Sequence, residues 1–230
     1  MFLALTFQQD LILILAMIFI GIFSQMMVTK SYNQYLKYPN STGMSGAEAA
    51  TKFLEANGIY DVQVVATKGF LNDYYDPSRK VIKLSESNYY GKSISSVSVA
   101  CHEVGHAIQH AKGYKMLVLR NKLVPLVSFS SSVSWLLIFL GILLGSLGFV
   151  YVGIALFGTI ALFQLVTLPV EFNASSRALK FFRSGNVMSM DETYASKKVL
   201  NAAAFTYVAA LLTSMIQLAR LLLIFGNNDR

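Results

Sequence analysis

Residues 123–170 constrain the fold of this chain most, because they contain no Asp, Glu, Lys, Arg or His. At about 1.5 Å of rise per helical residue, such a stretch crosses a hydrocarbon core of about 30 Å twice. The sequence Gly145-Ser146-Leu147-Gly148 is typical of a turn and divides the stretch into spans near 124–145 and 149–170. Pro125 is tolerated in the first turn of a helix. We therefore predict a transmembrane hairpin over 123–170.

Two further apolar segments predict one span near each end of the chain. Residues 11–28 carry no charge, and the segment before them holds an acid but no Lys or Arg, unlike a signal peptide. We expect a retained anchor over 1–29. The segment 202–225 is interrupted only by Arg220, whose guanidinium we expect to reach the membrane interface. With the C-terminal helix and tail placed at 202–230, the chain is predicted to have four transmembrane helices.

The positions of the basic residues predict the orientation in the membrane. A net charge of +7 would indicate a nucleic-acid-binding protein only if the positions of those residues were ignored. Nearly all Lys and Arg near the span ends lie in 30–122 and 171–201, which the positive-inside rule places in the cytoplasm. The single Cys101 agrees with a reducing compartment. We predict a multi-pass protein integral to the cell (plasma) membrane, with the lipid bilayer as partner, no nucleic acid and an oligomeric state left open.

Residues 30–122 are long and polar enough to fold in water, and their pattern is α/β. Ser45 and Glu48 fit a capping box that begins a helix ending before Gly58. The segments 62–65 and 81–84 are typical of short strands. A further helix is predicted from Ser93 to Gly113, and Ile94, Val97, Cys101, Val104 and Ile108 are spaced for its buried face.

The sequence His102-Glu-Val-Gly-His106 lies on this last helix. Residues four apart share a helical face, so both imidazoles can bind one tetrahedral Zn²⁺ while Glu103 lies beside them as a general base. A coincidental arrangement of core or surface histidines is the alternative, and the predicted helix argues against it.

A catalytic zinc needs a third protein ligand, which spacing alone leaves open. His110 follows His102 by eight residues, about 12 Å along a helix, and is too far away to share the ion. Glu171 is the best positioned acid, because an even number of predicted spans separates it from the motif. Small residues beside it would let its helix approach the motif closely, and Ser175, one turn on, could bond a ligand. The other candidates are Asp73, Asp76, Glu86 and Glu192.

Four segments of the chain resemble the membrane-bound neutral zinc metallopeptidases of YugP type, which are related to HtpX-type gluzincins. They are DYYDPSRKVIKLS at 73–85, VACHEVGHAIQHAKGY at 99–114, LPVEFNASSRAL at 168–179 and VLNAAAFTYVAAL at 199–211. The resemblance implies an α-helical integral membrane protein with a small gluzincin-like α/β domain in the cytoplasm. It also implies Zn²⁺ as cofactor, His102, His106 and Glu171 as ligands, and Glu103 as base. Asn173 and Ser175 stand where relatives carry Asp behind the ligands.

The implied activity is that of an endopeptidase acting on protein or peptide substrates, in unfolded or membrane-proximal segments. Tyr207 and Arg177, followed by Tyr194, are the candidates to stabilise a developing oxyanion. A gluzincin-like fold would make the strand at 81–85 the sheet edge that pairs with substrate. Two other functions remain: a non-catalytic zinc-stabilised membrane scaffold, and an intramembrane site-2-type protease, which the polarity of 93–111 disfavours.

Overall fold

The computed structural model describes residues 5–69, 71–184 and 187–226. Within these ranges the chain forms seven helices and three strands. In chain order they are α1 (Phe7–Leu36), α2 (Gly46–Glu55), β1 (Gln63–Thr67), β2 (Tyr74–Asp76), β3 (Val81–Ser85), α3 (Glu86–Tyr89), α4 (Ile94–Ala111), α5 (Lys115–Leu143), α6 (Leu147–Ser184) and α7 (Met190–Phe225).

Four of the described helices, α1, α5, α6 and α7, are long and apolar enough to cross a membrane. This confirms the predicted helical architecture with four candidate spans and a small sheet. The turn between α5 and α6 contains Gly145 at φ +64°, a left-handed conformation that glycine adopts without strain.

The predicted helix boundaries inside the hairpin are wrong in two places. Pro125, predicted in the first turn of a helix, lies in the interior of α5. Helix α6 continues past residue 170, the predicted end of its span, to Ser184, so that Glu171 lies within the same helix. Proline removes one backbone donor, which usually ends a helix in water. In apolar helices local backbone adjustment and neighbouring side chains tolerate the interruption, so the helix continues.

The chain divides into two compact units, which we name by composition. The apolar unit consists of Met1–Gln25, Leu119–Leu168 and Thr206–Arg230, and the polar unit of Met26–Val118 and Pro169–Phe205. The predicted division into 1–29, 30–122, 123–170, 171–201 and 202–230 was made on charge and hydropathy, and it stays a prediction.

In the apolar unit, α1 and α7 are joined by an ion pair. Arg220, which we expected to reach the interface, donates from Nε and Nη2 to the two carboxylate oxygens of Asp10, the second at 2.9 Å. Helices α5 and α6 pack closely at Gly153, where a Cβ would lie 2.8 Å from the carbonyl oxygen of Ser134.

In the polar unit the strand order is β1-β3-β2, with β1 parallel and β2 antiparallel to β3. The expectation that 81–85 forms the sheet edge is therefore wrong, because β3 is the central strand. Strand β2 was not predicted, since its three residues lie between Asp73 and Pro77 in a segment expected to form turns.

Helices α2 and α4 begin at the predicted caps and bury the predicted faces. The Ser45 and Glu48 side chains form the capping box, and Ser93 Oγ accepts from Ser96 N at 3.0 Å. The apolar stripe of α4, which consists of Ile94, Val97, Cys101, Val104 and Ile108, is buried. It lies in one core with α2, and Phe53 of α2 stacks on Phe181 of α6 at 4.1 Å between ring centroids. The motif histidines lie off this stripe, and α4 thus holds them at the edge of the core.

Candidate metal centre

Helix α4 supplies two histidines one turn apart. The rings of His102 and His106 are 4.8 Å apart between centroids and nearly perpendicular, at 88°. Their side chains are 15% and 12% exposed, so both remain accessible from solvent while the helix beneath them is buried.

Helix α6 brings a carboxylate to both rings. Oε2 of Glu171 lies 3.2 Å from Nε2 of His102 and 3.4 Å from Nε2 of His106. Glu171 is 2% exposed, and one ligand atom from each of the three residues lies within 4.8 Å of the other two. The structure therefore brings together the three residues predicted as metal ligands.

The two helices cross in contact at Gly105, inside the motif. A Cβ built on Gly105 would lie 2.6 Å from the carbonyl oxygen and 2.9 Å from the Cα of Ala174. Real side chains do not approach backbone atoms so closely. The absence of a side chain at position 105 thus lets Glu171, one turn before Ala174, reach the histidines.

The donor set fits a zinc ion. Ligand atoms at about 2.0–2.1 Å from a tetrahedral ion lie about 3.3 Å from one another, close to the distances between Glu171 Oε2 and the two Nε2 atoms. In the described part of the chain the cluster has three His or carboxylate members, the number of protein ligands that a catalytic zinc site has. An open position is typical of catalytic zinc sites, whereas structural sites are closed by four protein ligands.

Hydrogen bonds behind the histidines hold both rings. Nδ1 of His102 lies 3.1 Å from Ser175 Oγ, the residue predicted for this place from its spacing to Glu171. Nδ1 of His106 lies 3.0 Å from Oε1 of Gln109, a residue that was not predicted to belong to the site. Gln109 Nε2 donates to Asn173 Oδ1 at 3.0 Å. Asn173, which was predicted to lie directly behind the metal ligands, thus contacts Gln109, which in turn contacts His106.

Glu103 is buried beside these groups and is 8% exposed. Burial raises the pKa of the Glu103 carboxyl above its usual value. The charges of the two histidines oppose this shift, while the carboxylates of Glu171 and Asp73 add to it. A carboxyl whose pKa is shifted toward neutrality is better matched to proton transfer near pH 7 than an exposed glutamate.

The other acids considered as third ligands have different partners. Asp73 accepts from Ser85 and Asn88, and Asp76 accepts from Ser78 N in the turn before β3. Glu192 accepts from Ser41 N at 2.6 Å and from Ser189 N at 2.7 Å, whereas Glu86 is exposed at the start of α3. His110 is exposed and lies 2.8 Å through Nδ1 from the hydroxyl of Tyr75, which links α4 to β2.

The three residues proposed as oxyanion stabilisers lie on two helices, Arg177 on α6 and Tyr194 and Tyr207 on α7. Nε of Arg177 donates to Asn173 Oδ1 at 2.8 Å, behind Gln109. Tyr207 is half-buried on the part of α7 that belongs to the apolar unit, and Tyr194 is exposed on the part that belongs to the polar unit. Their catalytic roles stay predictions.

Comparison with known proteins identifies the family of this chain. Residues 10–226 match the model of the family described as "Putative neutral zinc metallopeptidase", and the chain belongs to that family. It is 49% identical over 215 residues to a protein of Bacillus subtilis (strain 168) named "Putative membrane protease YugP", covering 94% of this chain and 96% of that protein. No solved structure matches the chain. The resemblance inferred from the four sequence segments is thereby confirmed.

Proposed function

We propose that this protein is a membrane-bound zinc endopeptidase that hydrolyses peptide bonds in unfolded or membrane-proximal segments of proteins. The observation that carries the proposal is the cluster of His102, His106 and Glu171, three candidate ligands as in a catalytic zinc site, with the buried Glu103 beside it. The family description and the name of the Bacillus relative support the same activity.

Each side chain of the site has a distinct part in the proposed reaction. The two imidazoles and Glu171 would hold the ion, which would act as a Lewis acid and make a water molecule acidic enough to lose its proton near neutral pH. Glu103 takes that proton and later delivers it to the leaving amine. The raised pKa of Glu103 suits both steps, since burial makes its carboxyl a stronger base than an exposed glutamate.

The substrate is proposed to bind as an extended chain beside the sheet. With β3 central, the edges are β1 and β2. We favour β2, because the Tyr75–His110 contact ties this strand to the motif helix. Backbone pairing discriminates poorly among side chains, so access rather than sequence would select substrates.

Two structural features weigh against the alternative functions. An intramembrane protease carries its motif in a span, but α4 is not one of the four described helices apolar enough to cross a membrane. A scaffold with a structural zinc would need four ligands, and it has no use for a buried carboxylate beside an open position.

We further propose that the site faces the cytoplasm, as the distribution of basic residues indicates.

Zinc stoichiometry and cleavage of a fluorescently labelled unfolded polypeptide test the proposal on purified protein in detergent. Wild type is expected to hold one zinc and to cleave. Glu103→Gln is expected to keep the zinc and to lose at least about 100-fold in rate, as for loss of a general base. Glu171→Ala is expected to lose both zinc and activity.

Two results would oppose the proposal. If Glu103→Gln left cleavage unchanged in a zinc-bound protein, the activity would not be that of this site, and the scaffold function would be favoured. If Glu171→Ala kept a full zinc ion and full activity, the third ligand would be another residue.

A further inference from the structure

We propose that Gln109 is a positioning residue, which fixes the tautomer of His106 and ties it to the backbone that carries Glu171. The inference rests on the zinc site of the proposed function. Gln109 is wholly buried, which is unusual for a side chain with an amide donor and an amide acceptor unless both are used. It lies three residues after His106, one helical turn further along α4.

Its amide orientation is fixed by partners that cannot change roles. Nε2 of Gln109 donates to the carbonyl oxygen of Val170 at 2.7 Å, and a backbone carbonyl only accepts. Nε2 also donates to Asn173 Oδ1, which in turn accepts from Nε of Arg177. Because a guanidinium only donates, the Asn173 atom between them must be the oxygen.

The roles of the remaining atoms follow from this orientation. Oε1 of Gln109 must face Nδ1 of His106, at 3.0 Å, and an amide oxygen only accepts. Nδ1 therefore carries a proton in this contact. The lone pair of the neutral ring is then at Nε2, the atom that lies 3.4 Å from Glu171 Oε2. The sequence of bonds from Arg177 to His106 thus selects the tautomer that can bind a metal.

The side chain of Gln109 also joins the two helices that supply the candidate metal ligands, α4 and α6. Val170, whose carbonyl receives the shorter bond, directly precedes Glu171 on α6, while His106 lies on α4. Among the residues that the structure describes, the partner of His102 Nδ1 is the hydroxyl of Ser175, which can donate or accept. The tautomer of His102 is therefore not set in this way, and the proposed role is specific to His106.

Zinc affinity and the nuclear magnetic resonance signals of the histidine ring nitrogens test the inference on the full chain in detergent. The chain has three histidines, so each ring can be assigned. Gln109→Met keeps the length of the side chain but removes the acceptor and the donors. We expect it to weaken zinc binding by about 10- to 100-fold, as for loss of other groups that orient a ligand. The Nδ1–H signal of His106 should shift or be lost.

Gln109→Glu and Ser98→Ala provide the comparison. The carboxylate introduced by Gln109→Glu would retain an acceptor for His106, so the Nδ1–H signal should be kept. It would also face the acceptor atoms of Val170 and Asn173 and lose the bond to α6, so zinc binding should still weaken. Ser98 is also buried on α4, and its hydroxyl lies 2.6 Å from both the carbonyl oxygen of Ile94 and Ser196 Oγ. Ser98→Ala controls for loss of a buried hydrogen bond in the same helix, and it should leave both the affinity and the His106 signal unchanged.

Each outcome decides the inference. Wild-type zinc affinity and an unchanged His106 signal in Gln109→Met would overturn it, and so would loss of the Nδ1–H signal in both Gln109→Met and Gln109→Glu. If Gln109→Met did not fold, Gln109→Glu would decide alone: a retained Nδ1–H signal with weakened zinc binding would support the role, and loss of the signal or wild-type zinc affinity would refute it. Failure of wild type itself to bind zinc would instead refute the proposed function.

Discussion

Glu103 combines two requirements that oppose each other. Proton transfer needs a carboxyl placed beside the metal cluster, but burial there makes its charged form costly. A buried carboxyl with a raised pKa contributes stability below the ordinary glutamate pKa of the unfolded chain, and it loses that contribution as pH rises through the higher pKa of the folded state. As pH rises above the ordinary glutamate range, the raised pKa of Glu103 therefore lowers the stability of the zinc-free protein relative to its stability at acid pH.

We accordingly expect Glu103→Gln to raise the thermal unfolding midpoint of zinc-free protein at pH 8. This gain in midpoint should shrink toward pH 4, because the carboxyl of Glu103 is then protonated and as uncharged as the amide that replaces it. Glu55→Gln, at an exposed position on α2, is the matched control and should change neither midpoint. A gain of equal size at both pH values would show that the charge of Glu103 is not the cause.

Gly105 matters because of the space it leaves empty. Its Cβ would meet backbone atoms of Ala174, which cannot move aside as a flexible side chain could. We expect Gly105→Ala to separate α4 from α6, to cost about 1–3 kcal/mol in stability and to weaken zinc binding at least tenfold. Thermal unfolding and zinc competition with a chelator would measure the two effects.

Gly158→Ala is the control for this substitution. Gly158 lies within α6, the helix that Gly105 contacts, and a Cβ there would have no atom within 4 Å apart from its chain neighbours and the nearby backbone of its own helix. Alanine favours the helix by up to about 1 kcal/mol relative to glycine, so this variant should be as stable as wild type or more so. Equal behaviour of the two alanine variants would mean that the close crossing does not position Glu171.

Among the elements, α1 and α7 are joined by the ion pair between Asp10 and Arg220. Their side chains are 24% and 19% exposed, in helices where the surrounding surface is apolar. Removing one charge leaves the other without its partner, whereas replacing both by apolar residues is often tolerated. Asp10→Leu is expected to lower stability by roughly 1–3 kcal/mol, because the pair is mostly but not fully buried.

The double variant Asp10→Leu with Arg220→Leu should recover most of that loss. Unfolding midpoints in detergent, compared for wild type, the single variant and the double variant, would measure it. If the single variant were as stable as wild type, the pair would have no role in joining the two helices.

For the whole molecule, the orientation in the membrane can be measured by cysteine labelling. The chain has one cysteine, Cys101, which is fully buried, and burial raises the pKa of its thiol and makes it unreactive. A single added cysteine should therefore be the only site modified by a membrane-impermeant maleimide.

We expect Ser146→Cys, in the turn between α5 and α6, to be labelled in intact cells. Lys52→Cys, exposed on α2, should be labelled only after the membrane is made permeable. The reverse pattern would place the candidate metal centre outside the cell and would contradict the proposed localisation.

Local signals predicted much of this structure, and long-range contacts account for the rest. The caps at Ser45 and Ser93 and the stripe from Ile94 to Ile108 depend on neighbours within a few turns, so the sequence alone reveals them. Gln109 could not be recognised, because its partners Val170 and Asn173 lie 61 and 64 residues away. Strand β2 was missed because its pairing with β3, rather than its own residues, makes it a strand.

The contact at Gly105 has a consequence for how the motif can vary. Of the two positions between Glu103 and His106, one is buried in the core as Val104, and the other has no room for a side chain. The five-letter pattern is therefore more restrictive than HExxH, since both middle letters are constrained by shape rather than by chemistry. A search for chains that build the same centre would gain discrimination from H-E-apolar-G-H-x-x-Q combined with a distant E-x-N-A-S.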